Sequence, residues 1–224
     1  MRDCTNEVAH WCKSRRLQLN SEKTEAIWVG SRSNLTNLSG ADRSLTVSST
    51  TIQPTSAVRD LGVLLDDELS MKQHVSKVAA TCFYQLRRLR QMRRRVGHDV
   101  TLLLVMALVI PRLDYCNSVL AALPSSTLQL LQRVHNTAAR LVFELRHHDH
   151  ITPALIQLHW LPIRWQIHYR LCTLMHAVHT GRCPPYLADM VSLTSHRQSR
   201  SGLRSADSTN YTTPRLRTSL PADL

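Results

Sequence analysis

A change of hydrophobic period at Leu69 constrains this chain more than any other feature. Before it, short apolar stretches alternate with polar residues and are separated by turn-forming segments. After it, Val75, Val78, Ala79, Cys82, Leu86 and Leu89 recur at intervals of three and four, the spacing of one helical face. The expected fold class is therefore mainly α, with a small antiparallel β element near the N-terminus. Composition agrees. Only 6 of 224 residues are Gly, which disfavours all-β architectures rich in tight turns. Apolar residues make up 43% and aromatics 5%, so the core must be built from aliphatic side chains.

The elements follow from the pattern. Residues 5–17 predict a short helix with Val8, Trp11 and Cys12 on one side, and residues 24–29 a strand. SRSNLTNLSGADRS reads as a polar loop, and the segments 45–53 and 56–65 as two more strands. The helix from Leu69 runs into the arginine-dense QLRRLRQMRRR; Gly97 is a natural stop and Asp99 a natural N-cap for the next helix. That next helix carries LLLVMALVI (102–110) and continues or kinks at Pro111. A membrane span needs about 20 apolar residues, so this run predicts a buried core helix and no membrane partner. Leu128 to Leu145 give another long helix, and Thr152-Pro153 and Pro162 open further ones. Pro184-Pro185 begin a last short helix, and residues 192–224 read as a disordered or peripheral tail. Three regions result: 1–68 with the β element, a helical body over 69–191, and the tail.

Charge narrows the partners. Lys plus Arg number 28 against 16 Asp plus Glu, a net charge of +12 and a pI near 10.1. Such a surface attracts polyanions, nucleic acid foremost. Arg87, Arg88, Arg90, Arg93, Arg94 and Arg95 put six planar forks within nine residues. That exceeds what a helix C-terminal dipole needs and suits a phosphate backbone. Lys72 and Lys77 extend the track. The six cysteines include no CxxC pair and predict free thiols in a reducing compartment. MRDCTNEVAH has no apolar leader, so an intracellular location is expected and the sequons at Asn34 and Asn37 carry no meaning.

Several unrelated words, in order, carry a family resemblance. Trp11 followed by LQLNSEKTEAIWVGS resembles the "W, then L-x-LN-x-x-KTE" passage of LINE-type, non-LTR retrotransposon reverse transcriptases. VRDLGVLLDDELSMKQHV looks like the passage after it. LDYCNSVLAALP, LQRVHNTAARLVF and LHWLPIRWQIHYRL are similar to the family's downstream helical region, and RCPPYLADMV and SGLRSADSTNYTTPRLRT to its C-terminal run. The resemblance implies the end of a palm over the first 30 residues, a primer-grip hairpin over 56–68, and a thumb with a following helical region beyond. Lys23 would take the lysine position of the fourth palm motif, near the incoming nucleotide's phosphates. RNA or an RNA–DNA duplex would be the partner, together with the missing upstream palm.

Two departures matter. The family's metal-binding Tyr-x-Asp-Asp lies upstream of this tryptophan, and no such motif precedes Trp11. Two Mg²⁺ ions need a set of carboxylates beside the primer end. This chain is therefore expected to have no catalytic residues, no metal site and no cofactor, although the full-length family uses Mg²⁺. Asp66-Asp67-Glu68 reads as a solvated turn or helix start instead. Also, TPRLRT runs directly into SLPADL, where the family usually has an aromatic-containing stretch between them. His147, His148, Asp149 and His150 read as an interhelical loop, because zinc sites space their ligands. Trp160, Trp165 and Tyr169 read as packing residues rather than a base-stacking platform. The alternatives to residual nucleic-acid binding are a helical protein-interaction module and a pseudogene remnant without function.

Overall fold

The computed structural model describes residues 2–20, 23–37, 44–47, 50–191 and 211. It is mainly helical, with small antiparallel β pairs near the N-terminus. The expected tail lies outside the described residues, Tyr211 apart.

Helix α1, Arg2–Ser14, ends on Arg16 in the left-handed region (φ 59). The amides of Leu17 and Arg16 donate back to the Cys12 and Lys13 carbonyls, a paired C-terminal cap. Residues 24–29 do not form the expected strand. Ala26 makes a single isolated bridge to Pro54, because no neighbouring strand offers a ladder. Part of the expected loop is helical, as α2, Arg32–Asn37.

Each of the two further strands expected from sequence is instead a hairpin. β1, Leu45–Val47, pairs antiparallel with β2, Thr50–Ile52. β3, Ala57–Asp60, pairs with β4, Val63–Asp66, in the register Val58 to Leu65. Leu61 (φ 44) and Gly62 (φ 92) both hold positive φ, the turn that matches strand twist. The imperfect alternation of 56–65 is the mark of that reversal. Leu64 N donates to His74 Nδ1 at 3.3 Å, tying the hairpin to the helical body.

Helix α3, Lys72–Leu108, is numerically one helix of 37 residues but physically two. Gly97 sits at φ 76, ψ −176, a conformation open essentially to glycine alone. The chain reverses there. Cys82 Sγ lies 4.0 Å from the Val109 carbonyl oxygen, 27 residues on; a straight helix would separate them by about 40 Å. Asp99 is not the N-cap. Its carboxylate instead meets His98 Nδ1 at 3.0 Å.

A short α4, Ile110–Asp114, carries Pro111 in its first turn, where no amide donor is needed. A 3₁₀ turn, Asn117–Leu120, leads to α5, Ser125–Phe143. α6, Thr152–Gln157, α7, Ile163–His179, and α8, Pro185–Ala188, complete the body. The core joins both arms of α3 (Val75, Cys82, Leu86; Val105) and the following Val109 to Leu131, Val134 and Val142 of α5 and to Ile163 and Ile167 of α7.

The apolar run is not a fully buried helix. Val105 and Val109 are buried, but Leu103 is 67% exposed and Met106 is also exposed. Lys72–Asp114 contains a window of mean hydropathy 1.7, long and apolar enough to cross a membrane by length and composition. The reversal at Gly97 splits that stretch, and its Val75, Val105 and Val109 serve the core.

Candidate nucleic-acid interface

At 100° per residue, α3 turns Val75, Ala79, Cys82, Leu86 and Leu89 inward and leaves the other side to water. Lys72, Lys77, Arg87, Arg88, Arg90, Arg94 and Arg95 are all exposed, with Lys77, Arg87, Arg88 and Arg95 on that outer side and Lys72, Arg90 and Arg94 nearer the edge of the buried stripe. None of the seven forms an ion pair with a described residue. Arg88 lies over the Tyr84 ring, 5.8 Å from its centroid. The result is an arginine cluster over 87–95, with Lys72 and Lys77 at the start of the arm and no Lys or Arg between them and Arg87. Lys23 belongs elsewhere: it is exposed in a turn whose amide donates to Asn20, and no hydrogen bond or ion pair ties it to α3.

Arg93 departs from its neighbours. Its side chain is only 13% exposed. Nε donates to the Leu141 carbonyl at 3.1 Å and Nη2 to that of Val142 at 2.9 Å. Nη1 is 3.4 Å from Glu144. Arg93 therefore caps the C-terminal end of α5, satisfying carbonyls that the helix itself leaves open.

Beside this cap, α3 and α5 enclose a groove of about 830 Å³. Arg90, Arg93 and Arg94 line it from α3, and Arg133 and Arg140 from α5. Sequence reading missed the two α5 arginines. Their separation of seven places them on one helical face with Thr137 between, a signal that α5's strong apolar periodicity hides.

The other sequence candidates have structural jobs. Asp66 is buried, not solvated; its carboxylate accepts from Ser70 N at 2.5 Å and Ser70 Oγ at 2.8 Å. Glu68 pairs with Arg32 at 3.1 Å. Asp149 Oδ2 accepts from Arg146 N at 2.6 Å within the His147–His150 turn. Among the described residues no three His, Cys, Asp or Glu side chains gather to hold a metal. All six cysteines are free, and burial pushes the Cys82 thiol up to about 11.

The aromatic trio divides. Trp160 packs on the core and against His135, with ring centroids 5.2 Å apart. Trp165 and Tyr169 are exposed, contrary to the packing expectation, because α7 buries only Ile163 and Ile167 and turns its other sides to water. Arg164 lies over the Trp165 ring. Two further histidines are held neutral. Burial, then Lys77, lowers the His74 pKa, and burial alone pushes that of His135 down to about 4.

Fold and site together define a basic helical body with a cationic outer face and an arginine-lined groove. No family model, no curated protein and no solved structure matches the chain.

Proposed function

We propose that this chain corresponds to the region after the catalytic motif of a LINE-type reverse transcriptase. The activity we assign to these residues is sequence-nonspecific binding of RNA or an RNA–DNA duplex; the Tyr-x-Asp-Asp that carries polymerisation in that family is not among them. The ordered words from Trp11 to the C-terminal run support the family assignment. The observation that carries the binding role is the row Lys72, Lys77, Arg87, Arg88, Arg90, Arg94 and Arg95, exposed and without carboxylate partners among the described residues. Binding of this kind weakens steeply with salt, because each phosphate contact releases a counterion. Replacing Arg87, Arg88, Arg94 and Arg95 together with Gln is expected to flatten the slope of log K against log salt by about 3 on single-stranded RNA. Fluorescence anisotropy over a salt series reads this directly, and an unchanged slope would remove the row from the interface.

One observation favours a second reading, a protein-interaction module. Val100, Leu103 and Met106 leave apolar surface in water on the second arm of α3. Salt-independent binding that requires residues 102–110 would select that reading.

A further inference from the structure

We propose that the groove between α3 and α5 is a phosphate-binding cleft for a run of phosphate groups. This deepens the nucleic-acid reading: the cleft shares Arg90 and Arg94 with the basic row, and adds Arg133 and Arg140 from a different helix.

Three observations carry it. First, charge: Arg90, Arg93, Arg94, Arg133 and Arg140 line one concavity, opposed by a single carboxylate, Glu144. Glu144 is already engaged by Arg93. Like charges converging on one groove repel, and a polyanion is the ligand that reverses the sign of that interaction. Second, size: about 830 Å³ falls within the range of small-molecule sites and exceeds a single phosphate group. Third, an unmet donor: Arg140 Nη2 donates to the Asp149 carbonyl, while its buried Nε has no hydrogen-bond partner among the described residues. A buried donor without a partner is costly, so this guanidinium at the groove wall is less fully satisfied than that of Arg93.

The choice of residue points to phosphate. Every cation in the groove is an arginine, whose planar fork pairs two phosphate oxygens at once. Arg93 is spent on the α5 carbonyls and braces the wall. Arg90, Arg94, Arg133 and Arg140 are the ligand-facing set. The same chemistry is presented by a phosphodiester backbone and by free polyphosphate.

Calorimetry of the full chain with sodium tripolyphosphate tests the cleft. Arg133→Gln with Arg140→Gln is expected to weaken binding by at least about tenfold. Arg15→Gln with Arg182→Gln removes the same charge from exposed positions outside the groove and is expected to change it by less than about twofold. Circular dichroism checks folding; should the Arg140 change disturb it, exposed Arg133→Gln alone carries the comparison. Equal losses in the two double variants would overturn the cleft, as would a glutamate oligomer binding as tightly as tripolyphosphate. Displacement of a short single-stranded RNA by tripolyphosphate supports the cleft with the nucleic-acid backbone as its source of phosphate. Tripolyphosphate binding without displacement supports it with free polyphosphate as the source. If RNA does not bind at all, the proposed function fails while the calorimetry still decides the cleft.

Discussion

Arg93 and Arg94 are adjacent in sequence and opposite in role. One helical step of 100° turns the first onto the end of α5 and leaves the second in water. Charge density alone made the whole 87–95 stretch look like one cluster, and only the tertiary position of Leu141 and Val142 separates them. Arg93→Gln is expected to cost about 2–3 kcal/mol, the scale of buried charge-assisted hydrogen bonds, while Arg95→Gln changes stability by less than about 0.5 kcal/mol. Urea unfolding of the two variants makes the comparison. His135 is a second residue whose role periodicity does not reveal. Gln166 Nε2 lies 3.3 Å from its Nε2 and also donates to the Leu161 carbonyl, so the Gln amide nitrogen acts as donor to both. The imidazole is then neutral with its proton on Nδ1. Its folded pKa of about 4 lies below the ordinary 6.5, so the unfolded chain binds the extra proton between those values. Stability is fully present above pH 6.5 and falls as pH drops toward 4, by about 2 kcal/mol from this group at pH 5. His135→Leu is expected to flatten the difference between urea midpoints at pH 7 and pH 5. An identical pH dependence would show that His135 does not set it.

At the scale of elements, helices were more legible than strands. Each helical face needs only its own residues to declare itself, and the apolar spacing of α3 and α5 survives in the structure, while α7 buries only Ile163 and Ile167. A strand needs a partner, and alternation does not say whether six apolar-rich residues find one. Ala26 did not, beyond a single bridge. The hairpin inside the segment 56–65 hid because Leu61 takes a positive φ that leucine rarely adopts. Gly97 was legible as a stop, but not as a reversal. Its backbone conformation excludes side chains with a Cβ, although a Cβ built there would meet no atom within 4 Å. Strain therefore acts alone. Gly97→Ala is expected to destabilise by about 1–3 kcal/mol, measured as a loss of midpoint in thermal unfolding; a neutral result would mean that the reversal relaxes without glycine.

For the whole molecule, residues 69–191 hold nearly all of the core. Among the described residues before Leu69, Val63 alone contributes a buried side chain to the main cluster. Val8, Trp11, Leu17 and Val29 stay exposed there. Limited proteolysis is expected to trim the chain toward a resistant piece beginning near Leu69, and a resistant N-terminal third would contradict that. The groove was the least legible feature, since it exists only where α3 and α5 meet. The reversal at Gly97 has one more consequence, in time rather than in space. α5 is the element that packs most extensively on α3, with α4 next, all within residues 72–143. Low contact order favours rapid folding, and synthesis proceeds from the N-terminus. The α3 hairpin and α5 can therefore close as soon as Phe143 leaves the ribosome, before α7 is made and without waiting for the first sixty residues to find an order of their own.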